Sequence, residues 1–243
     1  MNKKLLITFI SLAVVVLLVV LACAIFIVGN VTVESTSDTT LTEEECNEIV
    51  ADSKIAKYSS IFALSEEIAI SNIESKHPTL QVVQIERKFP NKVVINIAKR
   101  TAIMSIKTDQ GYVLLDKELK VIGIEEDISN KFLAQLDGIK QDEYKVGAFL
   151  KGYDFLANLV KGAQEMSFLS ERFGAFFTKI DLLEGYVHIT TNTGVVFRLN
   201  ISKDIDKLVK QSYNFYLNHT TSAQKQSGYI VLTDQGFAHQ DNI

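Results

Sequence analysis

The chain has 243 residues, of which 47% are hydrophobic and 22% charged, and its formal net charge is −4 at pH 7. A mildly acidic chain lacks the basic surface that a nucleic acid needs, so the composition argues against a nucleic-acid-binding protein. The same charge argues against electrostatic binding to anionic lipid or wall polymer.

Residues 5–28 form a continuous run without a charged side chain. As a helix rising about 1.5 Å per residue, this run would be about 36 Å long, enough to cross a hydrocarbon core of about 30 Å. Lys3 and Lys4 precede it, and the first charge after it is Glu34. The positive-inside rule therefore predicts a single-pass plasma-membrane protein with a cytoplasmic tail at 1–4, a transmembrane helix at 5–28 and an extracytoplasmic remainder.

Two other processing routes fit part of this run. Ala22-Cys23-Ala24 matches a signal-peptidase site, and Val20-Leu21-Ala22-Cys23 approximates a lipobox. The apolar run is longer than the roughly 7–15 residues of a signal-peptide core, and it continues past both positions where a polar segment would be expected. We therefore expect an uncleaved anchor. Cys23 then lies in the membrane and Cys46 outside it, so these cysteines cannot form a disulfide within the fold.

Residues 29–100 predict a compact α+β module. A short strand is expected at 31–33, and Thr42 followed by Glu45 has the capping-box pattern that opens a helix. A second helix is expected from Ser65 to the residues before Pro78, because acidic residues occupy its first turn and Lys76 its last. Two β-branched runs at 82–87 and 93–98 then predict a hairpin. The order β-α-α-β-β places two helices on one face of a sheet.

Residues 101–233 predict a larger β-rich domain with two helices. Asp109-Gln110-Gly111 and Asn192-Thr193-Gly194 each separate two alternating apolar segments, which predicts two hairpins. Apolar stripes at 155–166 and 205–216 predict the helices. A closing strand is expected at 229–232, followed by a mobile polar tail at 234–243.

No catalytic or metal-binding constellation is apparent in the sequence. Ser222-Ala223-Gln224-Lys225 matches the S-x-x-K pattern of wall enzymes, but it follows a predicted helix and no K-T-G partner occurs. The four histidines lack a spacing suited to a metal; they are His77, His188, His219 and His239. We therefore expect no enzymatic activity, no metal site and no cofactor.

The order of these elements, together with several short motifs, resembles the FtsQ/DivIB family of bacterial cell-division proteins. The most specific motif is the turn Arg87-Lys88-Phe89-Pro90-Asn91 of a POTRA domain. Arg100 stands where the family usually has Glu-Arg-x-Pro, although Lys99 and Ala102 depart from that pattern. The resemblance therefore implies a POTRA motif that includes Arg87, Phe89, Pro90 and Arg100.

The resemblance implies a non-enzymatic scaffold of the divisome, enriched at the septum, that helps control septal cell-wall synthesis. Its β domain would bind small coiled-coil division proteins of the FtsB/DivIC and FtsL type, with no nucleic acid and no small-molecule substrate. The alternative is a POTRA-bearing secretion or translocation component that escorts polypeptides. Such proteins usually carry tandem modules, and no internal repeat is found here.

We expect partner binding at the last predicted strand. An uncovered strand can pair with an extended segment of another chain, and aromatic side chains are common hot spots at interfaces. Tyr216 and Tyr229 have an alternative interpretation as core residues. The predicted partner-binding residues are Phe215, Tyr216, Tyr229, Ile230, Val231 and Leu232.

Overall fold

The computed structural model describes residues 3–36, 39–141, 143–166, 173–201 and 204–242. Within its first helix it describes the side chains at 9–18, 20–21 and 25. The chain divides into two compact units, Met1–Lys99 and Arg100–Ile243.

The first helix, α1, spans Lys3–Ile25. Five consecutive side chains at 14–18 are all exposed, so apolar groups cover every face of this helix. Across the residues that the structure describes, no helix combines the length and the apolarity needed to cross a membrane.

The rest of the first unit has the predicted β-α-α-β-β order, which is confirmed. Its elements are β1 (Asn30–Ser35), α2 (Glu43–Asp52), a 3-10 turn (Ile61–Ala63), α3 (Glu66–Lys76), β2 (Leu80–Lys88) and β3 (Lys92–Lys99). The sheet order is β1-β3-β2, with β1 parallel and β2 antiparallel to β3. The helices bury Ile49 and Ile73 against the alternating side chains of the sheet, so one face forms the core.

The helices of this unit begin where their capping residues predict. The Glu45 amide donates to Thr42 Oγ1 at 3.2 Å, and the Thr42 amide donates to Glu45 Oε2 at 2.8 Å. This reciprocal pair satisfies two of the amides that a helix N-terminus leaves without partners. Ser65 caps α3 by a single bond, in which its hydroxyl accepts the Ile68 amide at 3.5 Å.

The second unit is built on one mixed sheet of nine strands, in the order β12-β11-β10-β9-β8-β7-β4-β5-β6. Its strands are β4 (Met104–Thr108), β5 (Gly111–Leu115), β6 (Val121–Glu125), β7 (Ala134–Asp137), β8 (Phe177–Leu183), β9 (Tyr186–Thr191), β10 (Val196–Asn200), β11 (Tyr229–Thr233) and β12 (Gly236–Gln240). Its helices are α4 (Asp154–Gln164), α5 (Phe173–Phe176) and α6 (Ile205–Asn218). The two long helices are α4 and α6, at the positions of the two predicted stripes.

Helices α4 and α6 lie against each other over the sheet. A Cβ on Gly162 would stand 2.5 Å from the Asp206 carbonyl oxygen, so only glycine permits this approach of the two helices. Their apolar stripes, including Leu159 and Leu208, join a core with Ile189, Phe197 and Ile230 from the sheet. One face of the nine-stranded sheet is therefore covered by helices.

The end of the second unit differs from the prediction of a closing strand at 229–232 and a mobile tail at 234–243. The chain turns at Asp234-Gln235 and returns as β12, antiparallel to β11, with Ala238 opposite Val231. Gly236 supplies a φ of +110° for the turn, and the Phe237 ring lies 6.3 Å from that of Phe215 on α6. This apolar contact ties the returning strand to the core. The correction matters because β11 has a neighbour on both sides and is not an edge strand.

Candidate partner-binding site

Strand β12 is one edge of the nine-stranded sheet, and no strand in the described part of the chain pairs with its outer side. The opposite edge, β6, is partly covered, because the Gly147 amide donates to the Val121 carbonyl at 2.7 Å and the Val121 amide donates to Ala148 O at 2.8 Å. An uncovered edge offers main-chain donors and acceptors to another strand.

The register of the β11–β12 hairpin indicates which amides of β12 point outward. Thr233 and Gly236 close a two-residue loop, and in such a hairpin the closing pair exchanges hydrogen bonds. Hydrogen-bonded and non-hydrogen-bonded pairs then alternate along an antiparallel ladder. Phe237 and His239 occupy the non-hydrogen-bonded positions, so their N–H and C=O groups face away from β11.

The sheet face opposite the helices is open. Helices α4 and α6 pack against Ile189, Phe197 and Ile230, and side chains alternate along a strand, so the intervening residues face the other side. Across five strands the register aligns one row of these residues: Asp181, His188, Arg198, Val231 and Ala238. The neighbouring row contains Lys179, Thr190, Val196, Tyr229 and Gln240.

This open face has a cationic and aromatic centre on β10 and β9, two and three strands inward from the β12 edge. The Arg198 guanidinium carbon lies 4.1 Å from the centroid of the Tyr186 ring. The His188 and Tyr229 rings pack at 5.9 Å with an interplanar angle of 63°. His188 Nε2 and Arg198 Nε are buried and have no hydrogen-bond partner. Leaving such buried groups unsatisfied costs stability.

The predicted partner-binding residues fall on both sides of the sheet. Tyr229, which is half-buried, and Val231, which is buried at 7% exposure, lie on the face opposite the helices, whereas Ile230 lies in the core. Leu232 is exposed on the helix-facing side, opposite Phe237. The structure therefore brings two of the four strand residues together with Arg198.

The two predicted residues on α6 have different environments. Tyr216 is buried, as its core interpretation expects, and its hydroxyl lies 3.2 Å from Thr193 Oγ1. Phe215 is half-buried between the His219 ring at 5.6 Å and the Phe237 ring at 6.3 Å. Phe215 thus supports β12 from beneath, and Tyr216 stabilises the core.

Sequence reasoning missed Arg198, Tyr186 and the outer strand β12 as site components. Tyr186, His188 and Thr190 alternate along β9, and the structure places them on the open face, half-buried. The available signal was the hairpin around Asn192-Thr193-Gly194, whose register brings Arg198 opposite His188.

The four predicted POTRA-motif residues have structural contacts. Arg87 Nη2 donates to the Leu64 carbonyl at 2.9 Å and pairs with Glu66 at 2.9 Å, which links β2 to the start of α3. Phe89 is exposed and is joined to Pro90 by a cis peptide bond.

Arg100 is the first residue of the second unit, and its side chain is buried there. It forms ion pairs with Asp116 and, at 2.8 Å, with Glu118. Asp116 also accepts the amides of Glu118 at 2.9 Å and Lys120 at 2.8 Å. Arg100 therefore organises the turn between β5 and β6.

The S-x-x-K match at Ser222 to Lys225 forms a turn after α6. No group of three His, Cys, Asp or Glu side chains there is arranged to hold a metal ion. The Lys225 ammonium of the S-x-x-K match donates to the Leu217 carbonyl at 2.8 Å and lies over the Tyr216 ring at 5.5 Å. It is thus engaged in stabilising the end of α6.

We expect His188 to make stability depend on pH. Burial, and secondarily the nearby Arg198 charge, hold the pKa of His188 below its ordinary value of about 6.5. As the pH falls, His188 is therefore protonated in the unfolded chain before it is protonated in the folded chain. The contribution of neutral His188 to the free energy of unfolding is fully present above about pH 7 and is lost progressively below about pH 6.5. Replacing His188 with glutamine should flatten the decline in Tm of the full-length protein in detergent between about pH 7 and 5.

An H188Q variant with the same dependence as the parent would show that His188 is not the titrating group.

Comparison with known proteins adds independent observations. Residues 29–100 match the family model described as "POTRA domain, FtsQ-type". A cell division protein DivIB from Clostridium tetani is 28% identical over 194 residues, covering 77% of this chain and 71% of the relative. DivIB from Clostridium botulinum strain Hall is 26% identical over 190 residues, covering 78% and 73%. DivIB from Clostridium acetobutylicum is 31% identical over 99 residues, covering 41% of this chain and 39% of the relative.

Proposed function

Because the chain belongs to the FtsQ/DivIB family of cell-division proteins, we propose that it is a non-catalytic scaffold of the bacterial divisome. In this role it binds other division proteins outside the cytoplasm and helps control septal wall synthesis. The observation that carries the proposal is the similarity to DivIB proteins over more than three quarters of the chain. The uncovered edge and open face of the second unit give this scaffold a surface suited to binding protein.

We propose that residues 5–28 anchor the protein in the plasma membrane with the N-terminus in the cytoplasm. The support is the uncharged run in the sequence, which extends beyond the described side chains, and the position of Lys3 and Lys4 before it. Helix α1, with 23 residues at about 1.5 Å each, is about 34 Å long. Exposed apolar side chains at 14–18 suit a lipid environment better than water.

The partners that we propose are division proteins of the FtsB/DivIC and FtsL type. An extended segment of such a partner would add a strand to β12 by hydrogen bonding with the outward groups of Phe237 and His239. Its side chains would lie next to those of β12, and Tyr229 and Val231 on β11 are the next residues inward on the open face.

The alternative of a secretion or translocation component is not favoured. The relatives that align over most of this chain are cell division proteins by name. A single POTRA match at 29–100 also differs from the tandem modules typical of such components.

A fluorescent fusion to the full-length protein tests the proposal in dividing cells. We expect enrichment at the division plane, because a divisome scaffold is held there by its partners. A fusion that carries only residues 1–29 is the matched control, and it should label the envelope uniformly. Uniform labelling by the full-length fusion, equal to this control, would contradict the divisome assignment.

A further inference from the structure

The segment that follows α1 is hydrogen-bonded into the first unit from its first residue. The Ile61 amide donates to the Phe26 carbonyl at 3.0 Å. Val28 is fully buried; its amide donates to Ser59 O and its carbonyl accepts the Tyr58 amide, both at 2.8 Å. The Gly29 amide donates to Asn91 O at 2.8 Å. The helix and the domain are therefore joined without a flexible linker.

Three aromatic rings form an exposed cluster at this junction. Phe26, Phe62 and Phe89 pack against one another with ring centroids 5.5 to 5.9 Å apart. Phe62 is 62% exposed and Phe89 is 56% exposed, although phenylalanine is normally buried. The structure thus holds two large apolar rings in solvent-accessible positions beside the end of α1.

The position of this cluster relative to α1 indicates what covers it. The helix is about 34 Å long, close to the roughly 30 Å of a hydrocarbon core, so Ile25 would lie near the outer boundary of that core. Phe26 is the next residue, and the other two rings contact it directly. Aromatic side chains are enriched at this boundary, where they form a belt.

We propose that the cluster of Phe26, Phe62 and Phe89 docks the POTRA unit onto the outer lipid interface of the membrane. The proposal rests on the membrane anchor proposed above, because continuity with that helix is what places the rings at the boundary. Docking buries two exposed phenylalanine rings and fixes the orientation of the POTRA unit to the bilayer.

Polar neighbours of the cluster fit the same occupant. Tyr58, exposed and hydrogen-bonded through its amide to Val28, has an amphipathic ring of the kind found at headgroup depth. Lys57 precedes Tyr58 in the chain, and lysine at this depth extends its ammonium towards the headgroups. Lys88 precedes Phe89, and its ammonium pairs with Glu86 Oε2 at 3.5 Å. A lipid surface therefore matches this patch in both its apolar and its polar parts.

Tryptophan fluorescence in the full-length protein tests the docking. The chain contains no tryptophan, so a single introduced residue reports alone. Variants F62W and F89W, which keep an aromatic ring in each position, are reconstituted into vesicles whose lipids carry bromine either near the headgroup or near the chain ends. We expect a blue-shifted emission and a loss of intensity that is greater with bromine near the headgroup.

One further variant and a free indole separate the possible results. V14W lies at the middle of α1 and should be quenched more strongly by bromine near the chain ends, which reports the anchor itself. N-acetyltryptophanamide added to the same vesicles gives the emission of an indole in water, with neither shift nor quenching. If V14W is quenched while F62W and F89W emit like this free indole, the docking is overturned and the anchor stands. If V14W is also unquenched, the anchor proposal fails and the docking fails with it.

Discussion

Replacing His239 with proline is expected to weaken binding of an FtsB/DivIC-type partner roughly tenfold, equivalent to about 1.4 kcal/mol. The reason is that the register turns the His239 amide away from β11, and proline both removes this donor and places its ring where a partner strand would lie. The pairing of β12 with β11 keeps its hydrogen bonds, because the residues that make them are unchanged. The measurement is the affinity of the full-length protein, in detergent, for the partner.

His239→Ala is the matched control. The His239 ring nitrogen Nε2 lies 2.8 Å from the Ser227 carbonyl, and both variants lose this contact, but alanine keeps the backbone amide. The alanine variant should therefore bind close to the parent, and the thermal melts of both variants should be similar. Equal affinities for the proline and alanine variants would argue against strand pairing at the β12 edge.

Replacing Arg100 with glutamine is expected to destabilise the second unit by about 3–5 kcal/mol, because removing one partner of a buried ion pair leaves an uncompensated charge. The Arg100 side chain is 2% exposed and Asp116 is 3% exposed, so water does not compensate the remaining carboxylate. The predicted loss can be followed by hydrogen exchange of the β4 and β5 amides at increasing urea concentration. This local measurement isolates the second unit from the first.

Glu118→Gln provides the comparison for Arg100. Glu118 is the other carboxylate partner of Arg100, at 2.8 Å, but its side chain is 41% exposed. Exposed ion pairs contribute about 0–1 kcal/mol, so this variant should leave the exchange profile nearly unchanged. Equal losses for the two variants would mean that burial of the Arg100–Asp116 pair is not what stabilises the unit.

The first unit could be predicted from its sequence because its signals are local. Thr42 and Glu45 form their capping box within one turn of helix, and Ser65 caps α3 across three residues. The hairpin of β2 and β3 is likewise formed by neighbouring β-branched runs. Short-range signals of this kind do not depend on knowing the tertiary structure.

The hairpin that ends in β12 was missed although its turn carries a signal found elsewhere in the chain. Thr-Asp-Gln-Gly occurs at 108–111, where a hairpin was predicted, and again at 233–236. Both turns have the same contacts: the threonine hydroxyl donates to the glycine carbonyl, at 2.9 and 2.7 Å, and accepts the glutamine amide, at 3.2 and 3.3 Å. After the second copy, polar residues follow Phe237, so the alternating apolar pattern that predicts a strand is missing and a polar tail was predicted there.

The composition of the open face could not be predicted from the sequence. Strand β10 pairs in parallel with β11 across the whole of α6, and this pairing alone brings Arg198 beside Val231. A parallel pair requires a long crossover connection, so no turn sequence specifies its register. Strands β4 and β7 are also paired in parallel, so their register is likewise not specified by a turn. The order of the nine strands therefore depends on tertiary contacts.

The backbone clamp on Phe26, Val28 and Gly29 has a thermodynamic consequence for assembly. A flexible Gly/Ser-like linker of six residues has a root-mean-square end-to-end distance of roughly 13 Å, so an attached domain could move over that range. Because these backbone hydrogen bonds are present, the first unit has already lost its rotational freedom relative to α1 before a partner binds. If α1 is the membrane anchor proposed above, a partner in the same membrane would meet a first unit whose orientation to α1 is already fixed, and association would cost less configurational entropy.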